Sequence, residues 1–208
     1  MSMDLVRVAE HLRTHHWVDD ARCGHADQHA PGVVLALSRE GIDALCRLGR
    51  QPLLDTLLLT AGYVGEPITW RLIDTLPAST SKSQIDAWLQ APLPRDALLL
   101  DEQQQDGIWT LALQVPIDLV YFPGHFPQAP VLPGAVQIAW ALAFATARLG
   151  TPVRCHEMEA LKFQQLLRPG DRADLTLRHD KTRHKLHFTY RHGDKAYSSG
   201  RLAWKAGS

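Results

Sequence analysis

The feature that most constrains the fold is the run from Ala135 to Ala147, bracketed by Pro133-Gly134 before it and Gly150 after it. Proline suits the first turn of a helix and glycine its end, so the punctuation predicts one helix over this stretch. Ala135, Val136, Ile138, Ala139, Trp140, Leu142, Phe144 and Ala147 leave almost no polar face. A helix apolar on every side is expected to be buried on every side. The run is shorter than the ~20 residues that span a bilayer, and Gln137 interrupts it. One soluble solution is an antiparallel sheet that curves around the helix, and the flanking sequence supplies the strands. Ala173, Leu175 and Leu177 alternate on one face, as do Leu186, Phe188 and Tyr190. Asp180-Lys181-Thr182-Arg183 and His192-Gly193-Asp194-Lys195 read as tight turns, and a last strand runs from about Ala196 to Trp204. Ahead of the helix, Ala97–Leu100 and Ile108–Val115 read as a hairpin with a longer connection containing Asp106-Gly107.

The first part of the chain has a different texture. Val6, Ala9, Leu12 and His16 recur at helical spacing; Val33–Leu37 and Trp70–Leu76 read as strands. Arg39–Leu59 reads as one helix capped by Ser38, and Ser83–Leu89 as a short one. Two prolines in Ala91-Pro92-Leu93-Pro94 interrupt any regular element and mark a linker. The expected organisation is a small α/β domain over 1–90 and a second, α+β domain over 91–208.

Acidic and basic residues balance at 22 each, which gives no reason to expect nucleic acid or an anionic membrane as partner. Cys23, Cys46 and Cys155 are odd in number and without metal-ligand spacing, as expected for thiols in a reducing compartment. The N-terminus lacks the apolar core of a secretory signal, so the expected location is the cytoplasm. His25, Asp27 and His29 lie close together in a probable-loop composition and are expected to be solvated rather than metal-bound; no metal and no cofactor are expected.

The segment Tyr121-Phe122-Pro123-Gly124-His125-Phe126-Pro127-Gln128-Ala129-Pro130-Val131-Leu132-Pro133-Gly134-Ala135-Val136-Gln137 carries the chemistry. It resembles the active-site segment of bacterial 3-hydroxyacyl-carrier-protein dehydratases of the hotdog fold: Gly-His-Phe-Pro, a proline five residues on, then Pro-Gly opening the central helix. Met158–Phe163 and Arg168-Pro169-Gly170-Asp171 match the strand and turn that follow. The continuation through Gln137 and Trp140 is similar to dehydratases of aryl-polyene pigment clusters.

The resemblance implies a hotdog fold and dehydration of 3-hydroxyacyl thioesters in fatty-acid-like, polyketide or aryl-polyene synthesis. It implies His125 as the base and the amide of Gly134 as the oxyanion donor, with the carbonyl of Val131 orienting the histidine. Phe126, Val131, Pro133, Gln137 and Phe163 are expected to contact substrate, and packing around Leu142, Phe144 and Phe163 to set tunnel depth. Both assigned roles make chemical sense. Neutral imidazole is a suitable base near neutral pH, and uncapped amides at a helix start favour developing negative charge.

One position departs from the pattern. The family places a Glu or Asp on the helix fourteen residues after the histidine, where this chain has Ala139. Three readings follow: an acid supplied by a second hotdog subunit; an acid from Asp118, Glu157 or Glu159, with Gln137 orienting; or a non-catalytic, carrier-binding or scaffolding hotdog subunit. A thioesterase ranks behind all three, because such enzymes also need a carboxylate near the helix. The implied partners are acyl carrier protein, whose phosphopantetheine carries the substrate, and a hotdog subunit forming a homodimer or heterodimer. Lys162, Arg168 and Arg201 are candidates for meeting the carrier. Residues 3–90 resemble the small C-terminal subdomain of adenylate-forming acyl ligases, through Trp70–Pro77 and Ser81-Lys82, without the glycine that precedes the ligase lysine.

Overall fold

The computed structural model describes residues 3–26, 30–124 and 128–205. They divide into two compact units: Met1–Arg95 with Pro116–Pro130, and Asp96–Val115 with Val131–Ser208.

The first unit contains α1 (Met3–Leu12), β1 (Val18–His25), β2 (Pro31–Leu37), α2 (Arg39–Leu48), α3 (Arg50–Thr60), β3 (Thr69–Ile73) and α4 (Lys82–Gln90). Its sheet has the order β1-β2-β3, with β1 antiparallel and β3 parallel to the central β2. A central strand covered on both faces must be apolar at successive positions, and Gly32–Leu37 is buried without interruption. Val33, Leu35 and Leu37 join Leu5, Leu12, Leu45, Leu53 and Leu57 in one core, while Val34 packs with Ile85 and Leu89 of α4 in another.

Several sequence expectations need correction here. The single helix expected over Arg39–Leu59 is two, because Gly49 adopts φ 86° and ends α2. The amphipathic spacing of α1 stops at Leu12, leaving His16 outside it, and β1 was not anticipated, its apolar positions being sparse. Ser38 does cap α2, accepting from the Gly41 amide at 3.1 Å, and Ser81 with Gln84 forms a capping box that starts α4 at Lys82.

The segment 116–130 belongs to this unit by contact, although it follows the linker in sequence. Ile117 lies in the α1/β2/α3 core. Asp118, 2% exposed, accepts from Arg50 Nε at 2.7 Å, Arg50 Nη2 at 3.3 Å and the Leu72 amide at 2.9 Å. By contact the first unit runs through Arg95, so the chain first crosses between units at 95/96 rather than at the expected 90/91, and 116–130 crosses back.

The second unit contains β4 (Leu98–Gln105), β5 (Ile108–Gln114), α5 (Gly134–Leu149), β6 (Glu157–Phe163), β7 (Arg172–Asp180), β8 (Lys185–His192) and β9 (Lys195–Ala203). All its strand pairs are antiparallel, in the order β4-β5-β7-β8-β9-β6. The alternation read from sequence is observed: Ala173, Leu175 and Leu177 are buried, as are Leu186, Phe188 and Tyr190. Register brings these onto one face, with Leu111 opposite Leu175, Leu175 opposite Tyr190, and Leu177 opposite Phe188. This antiparallel sheet with one long helix is the hotdog arrangement.

Two details differ from expectation. The β4–β5 connection is a two-residue turn, Asp106-Gly107, both with positive φ (51° and 77°); that geometry matches the twist of paired strands and extends β4 through polar Asp101–Gln105. The helix α5 is not covered all round. Val136, Gln137, Ile138, Trp140, Ala141 and Ala145 are buried, whereas Ala135, Ala139, Ala143 and Ala147, four apart on one face, are exposed. Alanine counts as apolar in a pattern but has too little side chain to demand burial.

Candidate active site

The start of α5 is the best-defined part of the site. Pro133 is its N-cap and offers no side-chain acceptor. The carbonyl of Pro133 accepts from the amides of Val136 (3.0 Å) and Gln137 (3.1 Å), which leaves the amides of Gly134 and Ala135 without an intrahelical acceptor. The residues leading in are fixed: Val131 and Leu132 are buried, and the Leu132 amide donates to the Leu167 carbonyl at 2.7 Å.

Gly134 is needed by close approach. A β-carbon placed there would come within 2.6 Å of the Phe163 ring. Phe163 ends β6 and is half exposed, with part of its ring against the helix start. Gly134 and Phe163, both named from the sequence as site residues, are therefore neighbours.

Gln137 has a different role from the substrate contact expected of it. It is 3% exposed, and its amide is consumed internally: Nε2 donates to the Leu132 carbonyl at 3.2 Å and Oε1 accepts from Ser198 Oγ at 2.5 Å. Tyr190, fully buried on β8, donates its hydroxyl to the Gln137 main-chain carbonyl at 2.8 Å. Burial pushes the Tyr190 pKa up, so it remains a donor throughout the accessible pH range. The side chain thus ties the loop carbonyl before the helix to β9, and the sheet holds the helix in place. Replacing Gln137 with leucine strands the Ser198 hydroxyl and the Leu132 carbonyl in a buried setting. The expected loss is about 1–3 kcal/mol of unfolding free energy, measurable by urea denaturation.

The candidate acids fare poorly. Asp118 is bound to Arg50 and the Leu72 amide in the first unit, a structural arrangement. Glu159 accepts from Lys185 at 2.6 Å and lies 3.3 Å from Arg201. The Lys185 hydrogen bond, with Lys185 and Arg201 charge behind it, holds this carboxyl below its ordinary range, so it stays ionised rather than serving as a proton donor. Glu157 is exposed at the start of the edge strand β6. Ala139 lies on the exposed face of α5. Lys162 is exposed, whereas Arg168 is partly buried.

His125 and Phe126 lie outside the described residues, as do Asp27 and His29. Among the described residues, no group of three or more His, Cys, Asp or Glu side chains could hold a metal ion, and no helix is long and apolar enough to cross a membrane.

The family model of ApeI-like dehydratases matches residues 101–201. A 3-hydroxyacyl-[acyl-carrier-protein] dehydratase FabZ from Oleidesulfovibrio alaskensis is 37% identical over 107 residues, 47% of this chain and 67% of that protein. The chain belongs to the hotdog dehydratase family. A second FabZ, from a Roseiflexus species, is 36% identical over 76 residues and is spanned over about half its length (53%). Among solved structures, an uncharacterized protein from Erwinia carotovora subsp. atroseptica shares 34% identity, with 52% of this chain and 93% of that one covered at a TM-score of 0.43. The dehydratase heterocomplex ApeI:P from Xenorhabdus doucetiae gives 30% identity, 52% and 96% coverage, and a TM-score of 0.49. The family match covers residues 101–201 and so bears on the second unit and on segment 116–130.

Proposed function

We propose that the chain is the histidine-bearing subunit of a dehydratase acting on 3-hydroxyacyl thioesters carried by acyl carrier protein. The observation that carries the reading is the uncapped start of α5, where Gly134 packs against the Phe163 ring and its amide has no intrahelical acceptor, in a chain of the dehydratase family. Removal of the α-proton places negative charge on the thioester oxygen. The Gly134 amide, at the positive end of the helix dipole, stabilises that charge. His125 takes the α-proton, the C3–O bond breaks, and the departing hydroxide takes a proton from an acid to leave as water. The products are the 2-enoyl thioester and water.

That acid is the element the chain does not carry. Ala139 stands where the resemblance places a carboxyl group, and Glu159 and Asp118 are engaged elsewhere. We assign the acid to a second hotdog subunit. The open face of α5 around Ala135 and Ala139, and the edge strand β4 with Leu98, Leu99 and Leu100 exposed, leave apolar surface and unpaired strand edge that a partner would cover. An aryl-polyene or related pigment pathway fits the Gln137 and Trp140 positions. The ligase-like reading of residues 3–90 remains a proposal for the first unit; Lys82 there is exposed at the first turn of α4.

Restoring the carboxyl group in this chain tests the assignment. Ala139→Glu, assayed alone on a 3-hydroxyacyl carrier substrate, is expected to gain dehydration by at least tenfold over the parent, because the exposed position accepts the longer side chain. A variant that folds, binds carrier and shows no gain would contradict an otherwise intact site and favour a binding or scaffolding subunit.

A further inference from the structure

The first unit contains a cavity of about 540 Å³. Its wall includes Arg50, Arg71, Trp70, Leu58, Ile68 and Leu93. The volume falls within the range of small-molecule sites. The wall combines two arginines and the polar Gln51 and Thr69 with aliphatic and indole side chains, and no acidic side chain lines it.

Charge accounting identifies what is missing. Asp118 neutralises one cation through its pair with Arg50. Arg71, 8% exposed, donates to the carbonyls of Trp88 (3.0 Å) and Pro92 (3.2 Å) and to that of Ala91. Carbonyl dipoles satisfy its hydrogen bonds without cancelling its charge, and guanidinium does not deprotonate in proteins. Among the described residues the pair of arginines therefore faces one carboxylate, beside a cavity with a partly apolar wall.

We infer that this cavity binds a small carboxylate with an apolar body, its anion set against Arg50 and Arg71 and its chain along Leu58, Ile68 and Leu93. A second negative charge brings the local balance to zero, and the apolar wall selects an organic acid over a bare inorganic anion. The lining residues all belong to the first unit, Pro123 of the 121–137 segment among them, and binding there is measured without reference to dehydration.

Isothermal titration of the full chain with octanoate, octan-1-ol and inorganic phosphate tests this. Octanoate is expected to bind saturably and at least tenfold more tightly than either control. Leu58→Trp, which fills the cavity from a half-buried position and leaves the charges alone, is expected to weaken octanoate at least tenfold. Arg50→Gln is expected to weaken octanoate while leaving octanol unchanged. Should Arg50→Gln fail to fold, Leu58→Trp decides. Equal binding of octanol removes the role of the cations, and equal binding of phosphate removes that of the apolar wall. Undiminished binding by a folded Leu58→Trp removes the site. Any one of these, or no octanoate binding at millimolar concentration, overturns the inference.

Discussion

Replacing His125 with alanine is expected to reduce dehydration of a 3-hydroxyacyl carrier substrate by about 10²–10⁴-fold, measured as kcat with an acid-bearing partner present. The magnitude is that of losing a positioned base. The Gly134 amide remains, so a residual rate above the uncatalysed one should persist, and KM should move little if imidazole contributes mainly in the transition state. Carrier binding measured separately should match the parent. A variant that dehydrates as fast as the parent would remove His125 from the reaction and leave its motif a structural loop.

Replacing Asp118 with alanine is expected to cost about 3–5 kcal/mol of stability, read from the midpoint of urea unfolding. The carboxylate is buried and holds three donors: two nitrogens of Arg50 and the Leu72 amide. Its removal leaves a partly buried guanidinium without its counter-ion and a buried amide without an acceptor. Domains are stable by only about 5–15 kcal/mol, so the loss approaches the margin of folding. Asp118→Asn retains an acceptor for Leu72 while losing the charge, and should fall between the parent and alanine. A cost under about 1 kcal/mol for the alanine variant would show that segment 116–130 is held to its unit by Ile117 and its neighbours instead.

The hotdog unit was legible because its signals are local and redundant. Period-two alternation in β7 and β8, glycine- and aspartate-containing turns, and a Pro-Gly start and Gly150 stop for α5 all specify the same layout. The sequence overstated the burial of α5, because a pattern does not distinguish an alanine that must be covered from one that is merely tolerated. It also could not show that Gln137 is a structural tie. Its partners, Leu132, Tyr190 and Ser198, lie up to 61 residues away and only the fold brings them together. Asp118 misled for the same reason: a carboxylate near a catalytic motif reads as an acid until Arg50, 68 residues earlier, is found beside it. In the first unit, β1 has few apolar positions to reveal it, and Gly49 within a helical stretch reads as tolerated when its positive φ in fact ends α2.

The shared-site account turns on where the proton for the departing hydroxyl originates. Turnover of a 3-hydroxyacyl carrier substrate, followed by formation of the 2-enoyl thioester, should be compared for this chain alone and mixed with a hotdog dehydratase subunit that bears the helix carboxylate but has its own histidine replaced by alanine. Neither protein should turn over substrate alone, and the mixture should. Full activity from this chain alone, or none from a mixture shown to associate, would contradict the account.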